Sequence, residues 1–264
     1  MSDAFFEKLF GDSESGEFGT GWISGTAAVF FGVLGLGGAL VLHFPGLLSL
    51  PEARPVYPIA IIRALIQGSI VLAIVLGAIS GLLRERKVLA ATGASLGLLA
   101  AIIGGGSTPL PSEVPSKFGL GLDWFLLDLF VMTVVFLPVE RFWPLHPDQR
   151  TFRPQWTTDL FYFVATHLPA QLITMAMVVP AALASEWLAI PWLVKTVGSL
   201  PFLIQLPLAI VVADLSQYAI HRAFHRIPFL WRFHAIHHSI ETMDWVAGSR
   251  SHYIDILITR GLIM

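Results

Sequence analysis

The sequence predicts an all-α membrane protein, a polytopic helical bundle with a histidine-rich helical cap on the cytosolic side. Hydrophobic residues make up 55% of the 264 positions and charged residues only 13%, against about 25% charged in soluble domains. Six apolar runs approach the roughly 20 residues that a helix needs to cross a bilayer. Five of the nine histidines lie between positions 221 and 238. These observations exclude an ordinary soluble enzyme, a disordered chain and a disulfide-built secreted domain.

The elements follow in order along the chain. Residues 1–21 are polar and acidic and lack the basic start and short apolar stretch of a signal peptide, so we expect a retained cytosolic tail. Residues 22–122 form a predicted three-span unit, and residues 123–264 form the domain that carries the candidate chemistry. The six spans are predicted at 22–43, 58–83, 88–105, 123–139, 160–183 and 197–214.

Lysine and arginine positions predict the orientation of these spans. With the N-terminus inside and the spans alternating, twelve of the sixteen basic residues fall inside: Lys8, Arg84, Arg86, Lys87, Arg141, Arg150, Arg153, Arg222, Arg226, Arg232, Arg250 and Arg260. Only Arg54, Lys117 and Lys195 fall outside, and Arg63 lies within a span. This positive-inside asymmetry places the histidine-rich region in the cytosol.

Composition also limits the chemistry. The chain has no cysteine, which excludes disulfides, iron–sulfur clusters and cysteine nucleophiles. A net charge of −2 provides no basic surface for nucleic acid, and we expect no nucleic-acid partner. Small residues four apart in the first three spans (Gly21/Gly25, Gly77/Gly81 and Gly93/Gly97) predict either a close helix-packing face or mere compositional bias.

The histidine spacing predicts a metal site. His221 and His225 are four apart and share one face of a helix, and His234 stands three and four residues before His237 and His238. Pro228 marks a break that lets the two groups converge. Imidazole suits iron, zinc, copper or nickel, whereas five unpaired neutral histidines would be costly to bury together.

Three other interpretations fit the histidine spacing less well. A basic helix on the membrane surface explains one isolated histidine better than this spacing. A zinc protease is disfavoured, because Arg222 stands where its motif has glutamate. A bis-histidine haem uses only two of the five imidazoles.

The pattern His221-x-x-x-His225 followed by His234-x-x-His237-His238 resembles the first two histidine boxes of the sterol desaturase / fatty acid hydroxylase superfamily. The resemblance covers about residues 123–264 and is strongest over 214–252. Flanking matches are Asp214, Tyr218, Arg222, Trp231 and Ser239, and Arg250-Ser-His252 resembles the downstream Arg-x-His segment of the superfamily.

The resemblance implies a non-haem di-iron oxidoreductase of lipid biosynthesis that uses O2 to hydroxylate or desaturate a sterol or fatty-acyl C–H bond. It implies metal ligation by His221, His225, His234, His237 and His238, with His252 as a sixth ligand or close neighbour. No catalytic residue beyond these ligands is expected. Because nothing in the chain resembles a flavin or haem module, the resemblance also implies an external electron donor of ferredoxin or cytochrome type.

One departure from the superfamily affects this expectation. Members carry a third histidine box further along the chain, and no such box precedes Met264. We therefore expect this chain to be a fragment of a longer product, the alternative being a truncated, inactive form. Two rival functions also stand: a membrane protein with a metal-binding or structural role, and a membrane transporter, although a transporter would place polar residues at mid-membrane.

Secondary candidates lie around the boxes. Glu241 and Asp244 follow the second box and are predicted either to orient ligand imidazoles or to be plain surface acids. His167 lies in the fifth apolar run, where ionisable groups are often functional, but a hydrogen bond to a carbonyl freed by Pro169 is the favoured interpretation. Arg63 is predicted to extend toward the membrane surface.

Overall fold

The structure is a computed structural model that describes residues 19–110, 119–146, 149, 153 and 155–261. Within these residues every regular element is helical, which confirms the predicted all-α class. Residues 1–18 of the predicted tail lie outside the described part. The helices are α1 Trp22–His43, α2 Pro45–Leu48, α3 Ile59–Leu83, α4 Val88–Ile102, α5 Leu122–Phe142, α6 Trp156–His167, α7 Ala170–Leu188, α8 Pro191–Gly198, α9 Phe202–Arg226, α10 Pro228–His234 and α11 Tyr253–Gly261.

Five of these helices are long and apolar enough to cross a membrane, namely α1, α3, α5, α9 and α4 extended to Ser107. A sixth crossing results if α6 and α7 together form one span. The first four predicted runs coincide with α1, α3, α4 and α5, and the chain is compatible with a multi-pass membrane protein.

The fifth predicted span is not one straight helix. The axes of α6 and α7 differ by 58°, and the break falls at Leu168 and Pro169. Proline has no N–H to donate to the carbonyl four residues earlier, which here belongs to Ala165. The hydroxyl of Tyr253 donates to that carbonyl instead, at 2.5 Å. His167 itself lies 3.1 Å from the hydroxyl of Ser249, and its expected carbonyl partner stays a prediction.

The sixth predicted span also differs from the structure. The run 197–214 begins in the short helix α8, and α9 starts only at Phe202. Pro201, with φ of −57° and ψ of 142°, is the N-cap residue of α9. The helix then continues to Arg226, well beyond position 214. As a result His221 and His225 lie on the same continuous helix as the predicted span.

The described residues form two compact units divided between Thr158 and Asp159. In the first unit α1, α3 and α4 pack against one another, and α5 packs on α1. The centre of this unit is a cluster of buried apolar residues: Ala39, Leu42, Ile66, Ile70 and Ala100. The sequence assigns α5 to the domain 123–264, whereas by packing it belongs to the first unit; the domain boundary itself stays a prediction.

Glycine allows the close approach of helices in the first unit. A Cβ on Gly93 would lie 2.6 Å from the Cβ of Ala28 and 2.7 Å from its backbone carbon. Gly25 and Gly97 also face neighbouring helices, whereas Gly21 has a φ of +76° and precedes α1. The small residues thus form a packing face in α1, α3 and α4, as one of the two interpretations predicts.

Polar side chains tie the loops of the first unit. Asp123 accepts hydrogen bonds from the backbone N–H of Leu50 and the hydroxyl of Tyr57. Burial and the nearby Asp123 carboxylate raise the pKa of Tyr57. Arg63 donates to the carbonyls of Gly106 and Thr108. Arg63 therefore satisfies backbone oxygens of a turn, a more specific role than the predicted extension toward the surface.

In the second unit α9 contacts α10 and α11, and α7 and α10 also contact α11. Helix α9 ends at Arg226, because Ile227 has an extended backbone and Pro228 opens α10. Proline at the first position of a helix is favourable. This turn confirms the predicted break at Pro228 and brings the two histidine groups together.

Candidate metal centre

Four histidine side chains converge where α9, α10 and the following turn meet. His221 and His225 lie near the end of α9, His234 ends α10, and His238 lies in the single-turn helix His237–Ser239. Potential ligand atoms of all four lie within 4.8 Å of one another. Three Nε2–Nε2 pairs are each 3.1 Å apart: His221 with His225, His225 with His238, and His238 with His234.

These donors fit a metal ion better than they fit one another. An Nε2 of a neutral imidazole carries either a proton or a lone pair, so it acts as donor or acceptor but not both. The Nε2 of His238 lies 3.1 Å from two other Nε2 atoms, and its one proton cannot serve both contacts. A cation among the four nitrogens accepts every lone pair at once, and imidazole is a suitable ligand for iron.

His234 is the buried member of the group. Its side chain is 4% exposed, and its ring stacks on Phe224, with centroids 5.1 Å apart. Its Nδ1 lies 2.7 Å from Oδ2 of Asp255 on α11. His221, His225 and His238 are exposed, so the cluster has one buried wall and one accessible side.

The neighbouring imidazoles disfavour protonation of His238. Desolvation and the charges that His234 and His225 would carry lower its pKa below the usual value of 6.5. A lower pKa keeps the imidazole neutral over a wider pH range, and the neutral form is the one that binds metals.

Two predicted ligands lie outside the group of four. The ring of His237 is 5.6 Å from that of His234, and its Nδ1 donates to the carbonyl of Arg250 at 3.3 Å. His252 accepts the backbone N–H of Ile254 at Nδ1, so a neutral His252 carries its proton on Nε2, and ligation through Nε2 requires a different hydrogen bond. The ligand roles of all six histidines stay predictions.

Arg250 connects the second histidine box to α6. Its side chain is 2% exposed and pairs with Asp159, which is fully buried. Arg250 also donates to the carbonyl and hydroxyl of Ser239, while its own carbonyl accepts from His237. The Arg-x-His segment therefore holds the turn that carries His237 and His238.

The carboxylate behind the cluster is not one of the two acids predicted from the sequence. Glu241 is exposed, and Asp244 accepts the N–H of Ala247 at 2.8 Å, which caps a turn. Asp255 hydrogen-bonds a candidate ligand instead. The sequence could have indicated Asp255, because it is a lone acid inside the apolar run after His252 and a buried acid needs a polar partner.

The other flanking residues lie close to the cluster or its elements. The ring of Trp231 lies 5.2 Å from that of His225 and 5.5 Å from that of His238. Tyr218 accepts a hydrogen bond from Arg222 one turn later on α9. His167 stacks on Phe163 and lies 3.1 Å from the hydroxyl of Ser249, so it helps to hold the segment before Arg250.

Residues 206–264 match the fatty acid hydroxylase family. The superfamily resemblance is confirmed for this segment. The segment is similar to an ornithine lipid hydroxylase of Rhizobium tropici, 40% identical over 57 residues, which are 22% of this chain and 17% of the relative. It is also similar to a fatty acid hydroxylase of a Lecanicillium species, 48% identical over 31 residues, which are 12% of this chain and 8% of the relative. No solved structure matches.

The matched hydroxylase segment begins within α9 and includes the whole histidine cluster. The similarity to known hydroxylases therefore covers the four histidines that could hold a metal ion. The alignments span less than a fifth of either relative.

Proposed function

We propose that this chain carries the metal site of a membrane-bound, O2-dependent oxidoreductase that hydroxylates or desaturates a C–H bond of a lipid. The observation that supports this proposal most strongly is the convergence of four imidazoles within a segment that resembles lipid and fatty acid hydroxylases. The metal is a non-haem di-iron centre, as the resemblance implies. The site lies on the cytosolic side, as the lysine and arginine bias predicts.

In this proposal the residues of the chain bind the metal, orient its ligands and shield the reacting C–H bond from water. His221, His225, His234 and His238 would hold the metal, and the resemblance implies that His237 and His252 contribute further ligands. Iron bound there supplies the redox chemistry that activates O2 toward an unreactive C–H bond. An all-imidazole set provides neutral nitrogen ligands, in contrast to the glutamates of soluble di-iron bundles.

The surroundings of the cluster suit a lipid chain. Helix α9 is a candidate span, and it presents exposed apolar side chains ahead of the histidines, among them Val211 and Leu215. Their burial against an alkyl chain excludes water from the C–H bond that reacts. Electrons come from an external donor of ferredoxin or cytochrome type, which the protein must admit from the cytosolic side.

Metal content and product formation together test the proposal. The full chain, purified from membranes and loaded anaerobically with Fe²⁺, is expected to retain stoichiometric iron. The His238→Ala variant should lose most of this iron, because it removes an Nε2 atom that lies 3.1 Å from the Nε2 atoms of both His225 and His234. His43→Ala is the matched control, since that histidine ends α1 in the other unit.

The same preparations, given reductant, electron donor, membrane lipids and ¹⁸O₂, are then examined by mass spectrometry. A lipid that gains one labelled oxygen, or loses two hydrogens, supports the proposal when the change disappears in His238→Ala. Retention of iron without any lipid change would indicate a metal-binding protein with no oxidase activity. Absence of iron in both the wild type and the variants would refute the metal site itself.

A further inference from the structure

A buried carboxylate stands directly behind the buried histidine of the cluster. Asp255 is 7% exposed and His234 is 4% exposed, and Oδ2 lies 2.7 Å from Nδ1. A carboxylate only accepts hydrogen bonds, so Nδ1 of His234 carries the proton in this contact. The ring therefore directs an unprotonated Nε2 toward His238, 3.1 Å away.

The carboxylate is itself held from its other side. The hydroxyl of Thr259, one turn further along α11, donates to Oδ1 of Asp255 at 3.0 Å. Both carboxylate oxygens thus have a partner inside the protein, where solvent has little access. A short chain of hydrogen bonds runs from Thr259 through Asp255 to His234.

The other three histidines of the group lack such support. Among the described residues, none donates to or accepts from the Nδ1 of His221, His225 or His238, and all three are exposed. His234 is held on one ring face by the stacked ring of Phe224 and at its Nδ1 by Asp255. The cluster is therefore asymmetric, with one fixed imidazole and three that can adjust.

We infer that Asp255, oriented by Thr259, is a positioning residue that fixes His234 in the Nδ1–H tautomer before any metal binds. His234 then acts as the preorganised ligand around which the three exposed histidines close. This inference rests on the proposed function in taking the cluster as a metal site. Partners that orient a ligand histidine typically contribute 10–100-fold to metal affinity.

The inference is tested on the full chain with three variants, and a fourth serves only to assign the spectra. Asp255→Asn replaces the carboxylate by a neutral amide of the same shape, and Thr259→Val removes the hydroxyl that orients it. Glu241→Gln is the matched control, because it neutralises an exposed acid near the second box. Imidazole-¹⁵N spectra of the metal-free protein report the tautomer of His234, whose signals are assigned by their loss in His234→Ala. Titration with Co²⁺ then reports affinity.

We expect wild type and Glu241→Gln to show a single Nδ1–H tautomer at His234. Asp255→Asn should show a mixture of tautomers and bind Co²⁺ about 10–100-fold more weakly. Thr259→Val should shift both measurements in the same direction by less. An unchanged tautomer and unchanged affinity in Asp255→Asn would overturn the inference while leaving the metal site intact.

The two proposals fail in different ways. If wild type binds no Co²⁺, the metal site fails, whereas the tautomer measured in the metal-free protein still decides the role of Asp255. If Asp255→Asn does not fold, the Thr259→Val spectra decide the role of Asp255. A population of the Nδ1–H tautomer of His234 equal to that of the wild type would then contradict the chain of hydrogen bonds.

Discussion

At the residue scale, the pair of Arg250 and Asp159 is a buried ionic contact of the second unit. Both side chains are almost inaccessible to solvent, and the guanidinium also donates to Ser239 beside the second histidine box. A buried charge that loses its partner is costly, because neither water nor another group compensates it. This contact therefore stabilises the turn that carries His238.

Asp159→Asn is expected to lower the free energy of unfolding by about 3–5 kcal/mol, because the variant leaves the Arg250 charge buried without its counter-charge. Thermal unfolding of the detergent-purified chain measures the loss. Asp214→Asn, on the exposed face of α9, is the matched control and should stay near wild type.

The double variant Asp159→Leu with Arg250→Met separates charge from packing. Removing both charges should recover much of the stability lost in Asp159→Asn, since apolar replacements of buried ion pairs are often neutral. Equal stability of Asp159→Asn and the control would contradict the structural role of the pair.

At the element scale, α1 and α4 approach so closely that only glycine fits at one position. A Cβ on Gly93 would meet both the side chain and the backbone of Ala28 below 3 Å. In lipid the hydrophobic effect does not drive helices together, so the association of the helices depends on such close packing. The glycines of the first unit therefore contribute through the shape of the contact surface.

Gly93→Ala is expected to destabilise the first unit by about 1–3 kcal/mol, the usual effect of overpacking. The control is Gly68→Ala in α3, where nothing lies within 4 Å of the added Cβ. Reversible unfolding in mixed micelles measures both variants. A wild-type midpoint for Gly93→Ala would show that α1 and α4 are not in this contact in the membrane.

The broken helix pair α6 and α7 is the second informative element. Pro169 has no N–H to donate to the carbonyl of Ala165, and the hydroxyl of Tyr253 donates to this carbonyl instead. Tyr253 lies on the same helix, α11, as Asp255. Arg250 and Ser249 contact the same helix through Asp159 and His167. The segment before α11 is thus fixed along α6, and it in turn positions the histidine turn.

At the scale of the whole molecule, the broken pair decides the side on which the histidines lie. If α6 and α7 together cross the membrane, six crossings place the cluster on the N-terminal side. If the pair returns to the side it entered, five crossings place the cluster on the opposite side. The lysine and arginine bias favours six crossings.

Single-cysteine labelling distinguishes these topologies, because the chain has no native cysteine. Arg86→Cys, Lys195→Cys and Glu241→Cys report the loop after α3, helix α8 and the end of the histidine cluster. We expect positions 86 and 241 to be protected from an impermeant reagent added outside, and position 195 to react. Labelling of 241 together with protection of 195 would show a re-entrant pair instead.

The sequence alone determined the helical class, the first four apolar spans and the spacing of the histidines, because hydropathy and helical spacing are local properties. Bilayer thickness sets the length of an apolar run, and an i, i+4 spacing sets a shared helix face. Both patterns can be recognised in the sequence without knowledge of any contact between distant residues. For that reason the first four predicted runs coincide with helices, and the break at Pro228 lies where it was expected.

Only the tertiary structure decided which acid lies behind the cluster and how the fifth span is broken. Asp255 is 21 positions from His234, and Tyr253 is 88 positions from Ala165, so no local spacing connects either pair. The tertiary structure also showed that the group of four imidazoles does not include His237 and His252, although both lie near these histidines in the sequence. Directional hydrogen bonds between distant segments determine these arrangements, and such bonds exist only once the helices have packed.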